Sequence, residues 1–270
     1  MLFRAVAFVL PIGMAVLHSI WGGTARGGWR SSEELKNLLE SEGREGLERF
    51  VKPHAERATA ALPAAIRDRM PERYLEIEEW RLVKLVTEWL MYESTRTRFT
   101  VEGTEQKTPV VIAGLSLDLR LDRCDLLEDG SRLVIDYKTG SAAPDRWATS
   151  RPEDVQLPLY AAFGVDQMPG SNPGGLVFAR VKTGELEFSG RLRNPLAVLP
   201  SAGKTSSLVK NPLTDEQLGN WRFLIEGLAV DFLNGRADVN PRDTRDTCEN
   251  CKLAALCRLP ERKEVAAPAV

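Results

Sequence analysis

Arg132-Leu-Val-Ile-Asp-Tyr-Lys-Thr-Gly140 is a short segment whose alternation predicts a β-strand with two unlike faces. One face carries Val134, Asp136 and Lys138, and the other carries Leu133, Ile135 and Tyr137. Branched and aromatic residues favour a strand, and the closing Thr-Gly favours a turn. The segment therefore predicts a strand that presents a carboxylate and an ammonium group side by side.

The preceding segment, LSLDLRLDRCDLL (115–127), predicts a second strand, joined to the first by a turn that contains Gly130. A two-residue Asp-Gly loop would place Asp122 and Asp136 on opposite faces. A three-residue loop with its glycine in the left-handed conformation sets Asp122 opposite Asp136 instead. We predict the three-residue loop, because that register brings the two carboxylates together.

The paired carboxylates predict a divalent-cation site. Two carboxylates a few ångströms apart repel each other unless a cation lies between them or one of them holds a proton. Mg²⁺ prefers oxygen ligands, and it lowers the pKa of water and stabilises charge during phosphodiester cleavage. Lys138 would orient the attacking water or offset charge on the phosphate. The alternative is a solvated strand face of alternating charges, and the two strands alone leave both interpretations open.

Helical and strand patterns alternate along the chain and predict an α/β domain with a mixed central sheet. Helices are predicted over SEELKNLLESEG, PERYLEIEEWRLVKLVTEWLMYE and EDVQLPLYAAFGV. Strands are predicted at Thr95–Val101, Pro109–Leu121 and Arg132–Lys138, followed by a hairpin that turns at Lys182-Thr183-Gly184. A last helix is predicted behind the capping box Thr214-x-x-Gln217, with Leu218, Trp221, Ile225, Leu228 and Phe232 along one face and Asn234-Gly235 at its end.

We expect one structural domain built from three stretches of the chain. Residues 1–94 form its helical N-terminal part and residues 95–212 its α/β core. Residues 213–270 add the C-terminal helix and a cysteine-rich segment. A chain of 270 residues buries a sizeable core without disulfides.

The charge balance argues against a protein that coats nucleic acid. The formal net charge is −2 and the sequence pI is about 5.9, whereas a coating protein needs a strongly basic face. Basic residues are frequent between Arg180 and Lys210. They form either a local DNA-binding patch or an ordinary solvated surface, and both interpretations stay open.

The opening MLFRAVAFVLPIGMAVLHSIW predicts a buried first helix. A secretory signal is the minor alternative, since Pro11 interrupts the apolar run and no convincing cleavage site follows it. The run is also too short for a bilayer span, which takes ~20 residues. We therefore expect a cytoplasmic protein with no membrane association.

RLDRCD, VIDYKTG and Gln156-Leu-Pro-Leu-Tyr160 together resemble the motifs of PD-(D/E)XK nucleases of the RecB/AddB type. The resemblance implies a restriction-endonuclease-like fold and a Mg²⁺ or Mn²⁺ ion. It makes Asp122, Asp136 and the Tyr137 carbonyl metal ligands and Lys138 the catalytic lysine. Gln156 and Tyr160 would contact DNA or brace the site.

The resemblance also extends to the first helix and to the region before the motif strands. His18 stands close to the position of the family's histidine ligand, although the spacing from Gly13 is one residue longer. A lone histidine on an apolar helix is more often a core residue, and this alternative stays open. Glu105 is a candidate for the family's acidic residue ahead of the first motif strand.

Three of the cysteines form the cluster Cys248-x₂-Cys251-x₅-Cys257. Such clustering suggests a metal before a disulfide, either zinc with a fourth ligand or a [4Fe–4S] cluster, and free thiols are the alternative. AddB-type relatives hold a [4Fe–4S] cluster with this trio and an upstream cysteine. Met1 stands where that cysteine would be, so whether the cluster has its fourth ligand stays open. We expect Cys124 to be a buried structural residue.

Together these features predict a Mg²⁺-dependent DNA nuclease, specifically an exonuclease, that acts in recombination and repair. The chain lacks a Walker A motif, since Val198 stands where the first glycine before Gly203-Lys204-Thr205 is needed. A helicase subunit or a missing N-terminal helicase-like region would therefore supply any motor. The alternative is a catalytically inactive DNA-binding or scaffold module of a repair complex.

Overall fold

The computed structural model describes residues 6–23, 27–138, 144, 147, 152, 155–165, 172–200, 207–241, 246–251 and 253–259. The helices before the sheet are α1 (Val6–Trp21), α2 (Ser32–Ala60), α3 (Ala64–Arg67) and α4 (Glu72–Glu93). The strands are β1 (Phe99–Ile112), β2 (Leu115–Leu127), β3 (Arg132–Lys138), β4 (Pro173–Lys182) and β5 (Glu185–Leu192). Between β3 and β4 lies α5 (Gln156–Leu159), which continues as a π-helix over Tyr160–Gly164. The later helices are α6 (Pro195–Val198), α7 (Ser207–Lys210), α8 (Asp215–Leu233), α9 (Asp246–Asn250) and α10 (Ala254–Cys257).

The five strands form one sheet in the order β1-β2-β3-β4-β5. The pairs β1–β2, β2–β3 and β4–β5 are antiparallel, and β3–β4 is parallel. A parallel pair needs a crossover, and α5 lies in the connection between β3 and β4. The predicted α/β class, with a mixed central sheet flanked by helices as in restriction endonucleases, is confirmed.

The turn between β2 and β3 has the predicted three-residue form. The Leu127 N–H donates to the Ser131 carbonyl at 2.8 Å, and the Gly130 N–H donates to the Leu127 carbonyl at 3.0 Å. Gly130 has φ of 77°, a conformation that glycine adopts without a Cβ penalty. Arg123 then pairs with Ile135, the register that the paired carboxylates require.

The predicted strand Pro109–Leu121 is wrong, because a turn divides it. Ala113 and Gly114 form the β1–β2 turn with φ values of 50° and 93°. Apolar residues on both sides of this turn hide it from a pattern of alternation. The predicted strand at Thr95–Val101 also begins later, at Phe99, because the Thr95 and Arg96 amides still bond to the end of α4.

The helices α1, α2 and α4 cover one face of the sheet and form a first core with it. From α1, this core contains Ile12, Val16, Leu17, Ile20 and Trp21. The prediction of a buried first helix is therefore confirmed. Within the described ranges, no helix is long and apolar enough to cross a membrane.

A second core joins α5, its π-helical continuation and α8 to the other face of the sheet. The capping box of Thr214 and Gln217 opens α8, and Asn234 and Gly235 end it, as predicted. The predicted apolar face of α8 is only partly correct. Trp221 and Ile225 are buried, whereas Leu228 and Phe232 are exposed, because the buried row of the helix continues through Ala229 rather than Leu228. Pro158 lies in the first turn of its helix, where a missing N–H is tolerated.

Candidate active site

Three carboxylates lie abreast on the three neighbouring strands β1, β2 and β3. Thr104 pairs with Arg123 and Gln106 with Leu121, so Glu105 lies opposite Asp122. Continuing the β2–β3 register by one residue beyond Arg123 places Asp122 opposite Asp136. The site is thus built by strand register, which brings together residues far apart in sequence.

The strands β2 and β3 separate at this point, and the Asp122 side chain bridges the gap. Their paired residues end at Arg123 and Ile135. Just beyond this pair, the Tyr137 N–H donates to Asp122 Oδ2 at 3.0 Å. The Asp122 side chain therefore accepts the hydrogen bond that a backbone carbonyl of β2 would accept in a continuous strand pair. The N–H and C=O of one strand residue point to the same side, so the Tyr137 carbonyl is directed toward this gap as well.

Burial raises the pKa of the Asp122 carboxyl. The Tyr137 N–H and the positive charges of Lys138 and Arg120 act in the opposite direction without reversing the shift. A nearby cation stabilises the charged form of a carboxylate, which burial disfavours.

Asp136 and Lys138 form an ion pair at the end of β3. Lys138 Nζ lies 2.9 Å from Asp136 Oδ2, and 4% of the Asp136 side chain is exposed against 29% for Lys138. The ammonium group also lies 5.4 Å from the centre of the Phe178 ring. The ammonium group of Lys138 is therefore held against the Asp136 carboxylate, and its side chain is partly exposed.

A small cavity of about 10 Å³ opens between α1 and the motif strands. Its lining residues are Met14, Leu17, His18, Thr104, Glu105, Asp122 and Tyr137. This volume suits one water molecule or one small ion. The cavity brings His18 together with Asp122 and Tyr137, as the resemblance implies, and adds Glu105.

The donors around the cavity fit Mg²⁺ or Mn²⁺. Across the described ranges, no three His, Cys, Asp or Glu side chains converge closely enough to form a complete ion site by themselves. Mg²⁺ does not need them, because it keeps several waters and is usually held by one or two carboxylates. Asp122 would supply one carboxylate at the cavity, with the Tyr137 carbonyl and the His18 imidazole as further donors. Asp136 is not among the residues that line the cavity, and it would supply the second carboxylate from the end of β3.

Gln156 and Tyr160 brace β2 from the opposite core. Gln156 Nε2 donates to the Tyr160 hydroxyl at 3.0 Å, and that hydroxyl donates to the Arg120 carbonyl. Burial raises the pKa of Tyr160, and the charges of Asp122 and Asp136 raise it further. This geometry favours the bracing role over a purely DNA-contacting one.

The cysteine trio belongs to the segment that contains α9 and α10. Cys248 and Cys257 are half-buried and Cys251 is exposed, and within the described segments the three thiols form no ion site. The Leu253 N–H does donate to Cys251 Sγ at 3.4 Å. Cys124 is buried, as predicted, and its burial raises the pKa of the thiol to about 12.

The basic stretch near β4 and β5 is largely neutralised by neighbouring acids. Arg180 pairs with Glu185 and Glu187, and Lys182 pairs with Glu185 at 2.7 Å. The interpretation as a solvated surface is favoured for these residues. Lys204 lies outside the described residues.

Two features of the site were not apparent from the sequence. Arg120 forms an ion pair with Glu105. Beneath the site, Glu93, Arg96, Arg123 and Asp125 form a buried ionic network. A signal for the network was present, because Arg123 and Asp125 occupy the alternate positions that Leu119 and Leu121 fill earlier in the same strand.

Comparisons with known proteins identify one matching family. A sequence model of the PD-(D/E)XK nuclease superfamily matches residues 17–258. No curated protein matches the chain. Seven chains among solved structures match it. One, described as the crystal structure of SSO0001, is 13% identical, with 95% of this chain and 97% of that chain covered and a TM-score of 0.34.

Proposed function

This chain belongs to the PD-(D/E)XK nuclease superfamily, and we propose that it is a Mg²⁺- or Mn²⁺-dependent nuclease that hydrolyses phosphodiester bonds in DNA. Members of this superfamily are typically metal-dependent nucleases. The observation that carries the proposal is the placement of Asp122 opposite Asp136, with Lys138 beside them, where β2 and β3 separate.

Each residue of the site has a separate task in this proposal. Asp122, Asp136 and the Tyr137 carbonyl would hold the cation, and His18 of α1 would complete the set. When bound, the cation lowers the pKa of water and neutralises charge on the phosphate. Lys138 orients the attacking water and offsets the charge that develops on the phosphate oxygens. Gln156 and Tyr160 hold β2 in place beneath the reacting groups.

We further propose an exonuclease of the RecB/AddB type that acts in recombination and repair with a helicase partner. The order of the motif around Asp122, the Asp136-x-Lys138 motif and the Gln156-to-Tyr160 motif supports this assignment. The trio Cys248, Cys251 and Cys257 supports it too, because such a trio follows the nuclease motifs in AddB-type relatives. A [4Fe–4S] cluster on this trio would require a fourth ligand from elsewhere.

The replacement Asp136→Asn tests the nuclease directly. It preserves the size of the side chain but removes the charge, so we expect Mg²⁺-dependent degradation of linear DNA to fall by at least about a hundredfold. Asp118→Asn is the matched control, because Asp118 is an exposed aspartate on β2. We expect this control to retain full activity.

Two results would change the proposal. Wild-type cleavage rates in the Asp136→Asn variant would exclude this site as the nuclease centre. Tight DNA binding by the unmodified protein, with no cleavage products in Mg²⁺ or Mn²⁺, would instead select the inactive DNA-binding or scaffold module.

A further inference from the structure

Arg120 is an exposed arginine at the edge of the candidate active site. It lies on β2, two residues before Asp122, and 65% of its side chain is exposed. An exposed guanidinium at this position is within reach of a DNA strand whose phosphate lies over the carboxylates.

The backbone of Arg120 is fixed while its side chain is held only by an ion pair. The Tyr160 hydroxyl donates to the Arg120 carbonyl and anchors this point of β2. The guanidinium pairs with Glu105 on the neighbouring strand. Breaking that pair would therefore allow the guanidinium to swing without moving the strand.

Glu105 is a carboxylate for which a cation in the cavity and Arg120 would compete. It lines the cavity together with His18 and Asp122. Its φ of 53° is a left-handed conformation that non-glycine residues seldom adopt and that clusters at functional sites. A divalent cation attracts this carboxylate more strongly than one guanidinium in water does, because it carries twice the charge.

We propose that Arg120 is a DNA-phosphate-contacting residue that Glu105 holds in the metal-free protein and releases when a cation enters the cavity. The inference rests on the proposed nuclease function, and it adds a coupling between metal binding and DNA binding. Arginine suits this task, because its planar fork donates two parallel hydrogen bonds to a phosphate. The released guanidinium then fixes the strand over Asp122 and Asp136.

The link predicts opposite changes in two binding equilibria of the Arg120→Ala variant. Mn²⁺ should bind more tightly in the absence of DNA, because Glu105 loses its competing cation. DNA should bind about fivefold to tenfold more weakly. The magnitude of the slope of log affinity against log salt concentration should fall by about one, which corresponds to the loss of one phosphate contact. Arg120→Lys should keep the salt slope but not the full affinity, since lysine lacks the fork.

The measurements need no turnover. Mn²⁺ affinity is measured by electron paramagnetic resonance of the free ion. DNA affinity is measured by fluorescence anisotropy of a labelled duplex with a single-stranded end, in Ca²⁺ and at several salt concentrations. The control is Arg98→Ala, because Arg98 is 61% exposed and pairs with Glu33 and Glu128 outside the site. It should change neither affinity.

Two outcomes would overturn the inference. If Arg120→Ala weakens Mn²⁺ binding, then Arg120 only positions Glu105 for the metal. If DNA affinity and salt slope stay at wild-type values, then Arg120 does not contact the phosphates. Either result together with an inactive Asp136→Asn variant would leave the nuclease proposal standing, whereas an active Asp136→Asn variant would remove the nuclease proposal itself.

Discussion

Tyr137 links the candidate active site to the protein interior through different parts of one residue. Its N–H donates to Asp122, and its carbonyl is directed into the same gap. Its hydroxyl accepts a hydrogen bond from Arg123 Nη1 at 3.0 Å in the buried interior. The side chain therefore acts as an anchor for the peptide groups that face the metal site.

Tyr137→Phe removes this anchor and leaves the ring in place. We expect the Mg²⁺ concentration for half-maximal cleavage to rise severalfold, because the peptide groups beside Asp122 become less well held. Stability should fall by about 1 kcal/mol, the usual contribution of one hydrogen bond. Titration of cleavage against Mg²⁺, with thermal unfolding in parallel, measures both effects.

Tyr92→Phe is the control for that experiment. Tyr92 also packs against Trp89, and its hydroxyl accepts the Phe188 N–H at 3.4 Å, away from the carboxylates. It should lose similar stability and keep the wild-type Mg²⁺ dependence. Equal shifts of the Mg²⁺ midpoint in both variants would show that Tyr137 affects only general packing.

At the scale of elements, the strand pair β2–β3 was predictable and the β1–β2 hairpin was not. A local turn containing Gly130 sets the β2–β3 register, so Asp122 and Asp136 could be placed opposite each other from sequence. The position of Glu105 depends on the turn at Gly114 and on a register shift near Gly103, and neither leaves a clear mark in the alternation. For the same reason, the pair between Glu105 and Arg120 could not be foreseen.

The helices α1 and α2 are joined by a buried histidine, His54, which contacts the residue that follows His18 in sequence. His54 Nδ1 accepts hydrogen bonds from the Ser19 hydroxyl at 2.8 Å and from Arg57 at 3.1 Å. Arginine can only donate, so Nδ1 carries no proton and the ring is neutral. Burial and the Arg57 charge lower the pKa of His54 from 6.5 to about 4.

This shift predicts an acid-sensitive helix contact. The unfolded chain binds a proton near pH 6.5, whereas the folded protein does so only near pH 4. The contribution of neutral His54 to stability is therefore complete above pH 6.5 and is lost as the pH falls toward 4. In that window the free energy of unfolding should fall by up to about 1.4 kcal/mol per pH unit.

Urea unfolding of the wild type and of His54→Gln at several pH values measures that slope. The glutamine does not titrate, so the difference between the two slopes isolates the histidine from all other groups. Identical slopes between pH 6.5 and 4 would contradict the assignment of a neutral buried His54.

At the scale of the whole molecule, a buried ionic network lies between the helical layer and the sheet. Glu93 from α4 pairs with Arg123 at 2.7 Å and with Arg96 at 3.0 Å. Asp125 pairs with the same two guanidinium groups at 2.6 Å and 2.9 Å. Arg123 also lies 4.3 Å from the centre of the Trp21 ring of α1. Helices and strands distant in sequence are thus joined directly beneath the carboxylates.

Glu93→Gln tests whether this network holds the layers together. The network contains two carboxylates and two guanidinium groups, so the replacement leaves one positive charge buried without compensation. We expect a loss of about 3–5 kcal/mol in the free energy of unfolding. Glu88→Gln on the same helix should cost less than about 1 kcal/mol, because Glu88 forms a half-exposed pair with Arg44 at 3.7 Å. Denaturant titration of both variants checks this difference, and equally small losses would mean that apolar packing, rather than the buried ions, fixes α4 on the sheet.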